Sequence, residues 1–255
     1  MIAAAAHPVF TAAAHPVFAA GGPVIPNFGG GDPCVVHNEQ FCASWFFDKF
    51  NAIFKPALIQ HIELTAIAVG VGMAIAFAAA ILAYKQSWFE TPFSLFSAFL
   101  YTIPSLALFE LLVQVTGINR FTVEVGLVSY TLLILFRNTL TGLRGVPHST
   151  IEAAQAMGLT PRQTLWRVEI PLASPAIMAG VRIAAVTTIS LATVAAYIGG
   201  GGLGALIFDA IQSGFKTEFV AAGALAIILA IVVDLLLVLF QRAITPWNRR
   251  RLKAG

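Results

Sequence analysis

Five apolar blocks of about twenty residues each, the length a helix needs to cross bilayer hydrocarbon, occupy nearly half of this 255-residue chain. They run over residues 62–84, 93–115, 121–141, 172–197 and 218–241. Lipid offers no partner for backbone N–H and C=O groups, and these runs are too long for barrel strands, so the blocks must be helices. Composition points the same way: 58% of the chain is hydrophobic and 11% charged, against about 45–50% and about 25% in soluble domains. The block 121–141 is the weakest, because only twelve residues separate Glu124 from Arg137. Both charges lie near its ends, where long side chains reach the interface. The expected fold class is all-α, a polytopic membrane helical bundle with about five spans.

Orientation follows from Lys and Arg, which concentrate in cytoplasmic loops near span ends. The segment 142–171 holds Arg144, Arg162 and Arg167, and the tail holds Arg242, Arg249, Arg250, Arg251 and Lys253. The first 48 residues hold neither Lys nor Arg. Five spans then put the N-terminus outside and the C-terminus in the cytoplasm. The net charge of +3 reads as this orientation signal, not as a nucleic-acid surface.

Residues 1–60 read as an extracytoplasmic extension, partly disordered, in which AAAHPVF occurs at 4–10 and again at 12–18. No basic start precedes it and its His-Pro pairs break the apolar stretch, which argues against a signal peptide. Cys34 and Cys42 lie on the oxidising side, where a disulfide persists; two free thiols, or a metal site with His37, are the alternatives. Trp45, Phe46 and Phe47 mark the approach to the outer interface.

The loop between the third and fourth blocks carries dense helix punctuation. Ser149 and Glu152 have the spacing of a capping box. Gly158 sits where that helix should end in a left-handed turn. Thr160, Pro161 and Gln163 restart a helix in a new direction, and Pro171 forbids continuation. Two short helices with a rigid corner result. Ile151, Ala154, Met157, Leu165 and Trp166 are apolar residues that such helices cannot bury alone, so a partner protein or the lipid surface would cover them.

EAAQAMGLTPRQTLWRVEIPLASPAIMAG, from residue 152, resembles the EAA loop of permease subunits of binding-protein-dependent ABC importers. YTIPSLALF at 101–109, FRNTLTGLRGV at 136–146 and AAYIGGGGLG at 195–204 are similar to the glycine betaine/carnitine/choline osmoprotectant branch. The resemblance covers about residues 61–246 and implies a type I ABC importer transmembrane domain over 61–246, a coupling loop over 142–171 and a basic cytoplasmic tail over 247–255. It implies that Glu152, Ala153, Ala154, Met157, Gly158 and Leu159 serve ATPase coupling. The implied partners are ABC ATPase subunits carrying ATP and magnesium, an extracytoplasmic solute-binding protein, a second or paralogous permease copy, and membrane lipid. No cofactor is expected on this chain.

Tyr101, Pro104 and Ser105 interrupt the second block, and the proline removes an intrahelical hydrogen bond and frees a carbonyl. A kink that only serves packing and one that lines the path both fit; the resemblance favours the path. Tyr197, Gly199, Gly201 and Gly204 lie in an outer turn that reads either as a flexible one, able to gate the path or to meet a binding protein, or as a plain tight turn between helices. That run contains G-x-G-x-x-G, but no strand precedes it and no Lys-Ser/Thr follows, so it is not read as a nucleotide site. Arg182 and Asp234 lie at matching depths in antiparallel spans, and charges there are costly unless paired, so they are expected to form an ion pair. Glu110, near an outer end, is read as facing a wet cavity.

His7, His15, His37, His61 and His148 show no metal spacing, and no Ser/His/Asp set or phosphate-binding loop is present. The resemblance implies a transport protein driven by a separate ATPase. A self-sufficient secondary transporter or channel is the alternative, and it predicts inverted repeats or paired half-helices. A membrane-embedded enzyme lacks any catalytic constellation.

Overall fold

The structure, a computed structural model, describes residues 32–245. Every regular element among them is helical. The AAAHPVF repeat and the basic residues from Arg249 onward lie outside the described residues.

The described N-terminal residues form two short helices joined by a turn over 37–42. Helix α1 (Pro33–Val36) is capped by Asp32, whose carboxylate accepts from Cys34 N–H at 3.1 Å and from the Ser44 hydroxyl. Those bonds, the Ser44 one foremost, hold its pKa below the ordinary 3.8. A Cys34–Cys42 disulfide joins α1 to the start of α2 (Ala43–Lys49). Through a π-helical turn at Phe50–Phe54, α2 runs into α3 (Lys55–Lys85), so 43 residues form one helix that crosses the expected boundary at residue 60. Trp45 is buried edge-on against Phe54 and Phe215, which leaves Phe47 as the exposed aromatic of this trio's outer side.

After α3 come α4 (Ser87–Thr102), α5 (Ser105–Thr116) and α6 (Arg120–Arg144). Then follow α7 (His148–Ala156), α8 (Pro161–Thr164), α9 (Ile170–Ala195), α10 (Gly202–Ser213) and α11 (Lys216–Ile244). Helices α3, α6 and α9 make the centre of the bundle. Small residues let them approach closely, since lipid supplies no hydrophobic drive between helices. Gly72 faces the Thr131 side chain, Gly180 faces Asn138, and Ala76, Ala80 and Ala184 surround Leu135 and Phe136. Helix α5 lays Phe109 over Gly126 of α6. Helix α11 packs on α9 and turns Ile228, Ile231, Leu235 and Leu236 outward.

Four helical stretches are long and apolar enough to span a membrane, and the α4–α5 pair makes up to five, bent by 101°. Ion pairs at the two ends of α6 show that this bent pair crosses. Arg120 meets Glu63 of α3 at 3.0 Å, and Arg144 forks onto Glu90 of α4, NH1 to Oε1 being 2.8 Å. The start of α4 is thus level with one end of α6, and the chain must reach the other end before Arg120. The second block is therefore a broken helix, where a kink was expected.

Two further expectations change. The link 198–217 contains α10, a twelve-residue apolar helix too short to span. Helix α6 extends beyond its block at both ends, so Glu124 lies one turn inside it. Its carboxylate is buried below Arg120, 4.0 Å from Nε, and accepts no hydrogen bond among the described residues.

Candidate functional site

The loop between α6 and α9 is a corner built by local chemistry. Pro147, extended at φ −59° and ψ 132°, starts α7 two residues earlier than the Ser149 cap expected. Ser149 therefore falls inside the first turn and no capping box forms; Glu152 instead reaches His148 Nδ1 at 3.0 Å, one turn back. The far end of α7 closes at Gly158, with φ +89°. There Gly158 N–H donates to Gln155 O at 2.9 Å and Leu159 N–H to Ala154 O at 3.2 Å, the paired bonds of a Schellman turn. Two residues later Thr160 and Gln163 exchange capping bonds, 2.9 Å from Thr160 N–H to Gln163 Oε1, and Pro161 begins α8.

Pro171 does not end that helix. Leu165–Glu169 form a π-helical turn in which Ile170 N–H reaches back five residues to Leu165 O. The wider turn displaces the carbonyl that the proline ring would strike, and the missing N–H then costs nothing. Pro161–Ile198 is consequently one helix of 38 residues. The loop is one short helix joined at a fixed corner to the end of a span, and a second free-standing helix is absent.

Burial divides the apolar loop residues. Ala154 and Leu165 are each 2% exposed, and Leu165 packs into the protein's own core with Leu143, Val146 and Ala173. They anchor the corner and need no partner. Met157 is 75% exposed, and Glu152, Ala153 and Gly158 are exposed with it, whereas Leu159 is half-buried. Beneath the corner, Glu169 is buried, and its Oε2 has no hydrogen-bond partner among the described residues.

At the helix break, Ile103 and Pro104 are extended, so the Ile103 carbonyl is free of the helix ladder. The Tyr130 hydroxyl of α6 donates to it. Tyr101, Pro104 and Ser105 line a cleft of about 400 Å³ together with Tyr130 and with Thr187 and Ser190 of α9. The rings of Tyr101 and Tyr130 stand 5.9 Å apart at 66°. Sequence reading missed Tyr130, which sits 27 residues from the carbonyl it binds.

Tyr197 and the glycine run do not join this cleft. Tyr197 is exposed and rests against Phe208. Gly199 and Gly201 hold φ of +85° and +71°, and Gly202 N–H donates to Gln60 Oε1 of α3 at 3.0 Å. A Cβ at Gly201 would strike the Gln60 side chain, and one at Gly204 would strike the Thr193 carbonyl. Of the two readings, flexible or plain tight turn, the close packing fits the tight one.

Arg182 and Asp234 bind as a fork, Nε to Oδ1 at 2.8 Å and NH2 to Oδ2 at 3.0 Å. They face a second cavity of about 450 Å³ that shares Thr187 with the first. Glu110 is exposed on α5. Both cysteine sulfurs are consumed by the disulfide, which removes the alternatives of free thiols and of a site with His37. No three His, Cys, Asp or Glu side chains among the described residues gather as metal ligands.

Comparison with known proteins gives one consistent answer. Residues 68–250 match the family described as binding-protein-dependent transport system inner membrane component. The choline transport system permease protein OpuBB of Bacillus subtilis is 35% identical over 195 residues, 76% of this chain and 89% of that one. The osmoprotectant import permease protein OsmW of Salmonella typhimurium is 40% identical over 203 residues, 77% and 94% of the two chains. Among solved structures, the inward-facing MetNI methionine ABC transporter superposes with a TM-score of 0.68 at 21% identity, covering 76% of this chain and 96% of that one. An amino acid ABC transporter crystallised with histidines gives 0.65 at 22%, covering 77% and 96%. At such identities the superpositions establish the fold, the type I ABC importer transmembrane domain. With its apolar spans, its broken second helix and its match over 68–250, the chain belongs to the family of binding-protein-dependent transport system inner membrane components.

Proposed function

We propose that this chain is the permease subunit of an ATP-driven importer of quaternary ammonium osmoprotectants such as choline, glycine betaine or carnitine. The end bearing α7 faces the cytoplasm and the end bearing α1 and α10 faces outward. The α7 corner docks on an ABC ATPase that carries ATP and magnesium, and its displacement passes into the spans as rigid-body motion. Glu152, Ala153 and Met157 meet the ATPase, while Gly158 and Leu159 shape the corner and Ala154 anchors it. A second permease copy or a paralogous permease completes the path, a solute-binding protein delivers the solute from outside, and this chain itself catalyses no reaction. The solute class is carried over from relatives whose names specify choline, glycine betaine or carnitine.

One observation carries the coupling: Met157 stands 75% exposed on a corner whose backbone is pinned by Gly158 and the Thr160 cap. An exposed methionine on an ordered corner offers a flexible apolar knob of the kind that binding surfaces use. The test is uptake into proteoliposomes holding the permease with and without a co-purified ATPase. Import of choline or glycine betaine should require both the ATPase and ATP. Uptake by the permease alone, driven by an ion gradient, would establish a secondary transporter instead.

A further inference from the structure

We propose that the cleft at the helix break is a binding site for the quaternary ammonium head of the solute in transit, recognised by the ring faces of Tyr101 and Tyr130. The inference rests on the function proposed above and deepens it, because it assigns recognition to the permease's own side chains.

Geometry is the first ground. The cleft, about 400 Å³, falls within the roughly 300–1,000 Å³ of small-molecule sites. Tyr130 is ten residues from one end of α6 and fourteen from the other, about 15 Å and 21 Å at a helical rise. The cleft is thus near the middle of the crossing. Two rings 66° apart form two walls of a corner, and a cation is drawn to such faces by the ring quadrupole.

The hydroxyls supply the second ground. The Tyr130 hydroxyl donates to Ile103 O, Thr102 Oγ1 donates to Ala98 O at 2.7 Å, and Thr187 Oγ1 donates to Ile183 O at 2.8 Å. With those protons committed to backbone, these three groups offer the cleft only lone pairs. No Lys, Arg, Asp or Glu lines it. A quaternary ammonium has neither an N–H to satisfy nor an acceptor to feed, so rings and lone pairs suit it without a full counter-charge. Tyr101, Ser105 and Ser190 add three further hydroxyls to its lining. A counter-charge would hold the cation too long, whereas a site on a path must also release its ligand.

The test uses the complete transporter, permease with ATPase and binding protein, in proteoliposomes. ATP-dependent uptake of labelled choline and glycine betaine is measured with Tyr101 replaced by Phe and then by phenylalanines bearing progressively more ring fluorines. Tyr101 is 43% exposed, and fluorination weakens the ring face while preserving its shape. Uptake should fall stepwise along the series, and Tyr101→Leu should lower it by about three- to thirty-fold. A level series, in a transporter whose unsubstituted form imports these solutes, overturns the tyrosine site and leaves the proposed function standing. If the unsubstituted transporter imports neither solute, the proposed function fails and the site fails with it.

Discussion

The Arg182 guanidinium grips the Asp234 carboxylate with two parallel hydrogen bonds between α9 and α11, 2.8 Å and 3.0 Å long. Each residue alone would leave a charge unanswered inside a span, a cost on the order of 2–3 kcal/mol. Arg182→Asp and Asp234→Arg should each reduce the yield of monodisperse protein in detergent size-exclusion chromatography. The double substitution, which restores opposite charges, should recover most of that yield. A double variant no better than either single would show that the pair is not the source of the loss.

Close approach of α6 and α9 depends on the missing side chain at Gly180. A Cβ there would stand 2.6 Å from that of Asn138. Gly180→Ala should destabilise the bundle by about 1–3 kcal/mol, the range for overpacking. Gly70→Ala, with nothing within 4 Å of the added carbon, should leave the melting temperature in detergent near that of the parent.

At Gly158 the space is open and the backbone is the constraint, since φ is +89° and no atom crowds an added Cβ. Gly158→Ala should cost about 1–2 kcal/mol at the corner, and Gly158→Asn less, because Asn tolerates the left-handed region. Recovery of ATPase on affinity-purified permease should decline in the order Gly, Asn, Ala, Val. Equal recovery across the four would detach the corner from ATPase docking.

The disulfide holds α1 against α2. Replacing Cys34 and Cys42 together by Ser should cost about 2–3 kcal/mol, confined to this cap. Hydrogen exchange should therefore quicken over residues 32–49 and stay unchanged in α6 and α9. Asp32 adds a pH dependence. Its pKa is lowered by Ser44 and Cys34 N–H, so its contribution is complete above 3.8 and is lost as pH falls through the lower folded value. Acid-quickened exchange at α1 should be present in the parent and absent in Asp32→Asn.

Features governed by neighbouring residues were legible in the sequence. The spans announced themselves through apolar length, and the corner through Gly158 and the Thr160–Gln163 pair, whose bonds close within five residues. Pro171 was misread because a proline signals either the end of a helix or its first turn, and the π-helical turn before it decides which. Ser149 was mistaken for a cap because Pro147, two residues earlier, starts the helix first. Tyr130 was invisible as a cleft residue, since nothing local ties it to Ile103 across the loop and two helices. Helix α10 escaped notice because twelve residues satisfy neither the length of a span nor the composition of a loop.

The uninterrupted backbone from Pro161 to Ile198 has a mechanical corollary. At about 1.5 Å per residue it is a beam some 56 Å long, with the Thr160 elbow at one tip and Tyr197 near the other. Supported at its waist by α3 and α6, such a beam pivots as a see-saw: a tilt of a few degrees drives its two tips in opposite senses. Constriction at one surface and widening at the other would then be a single movement of one rigid piece.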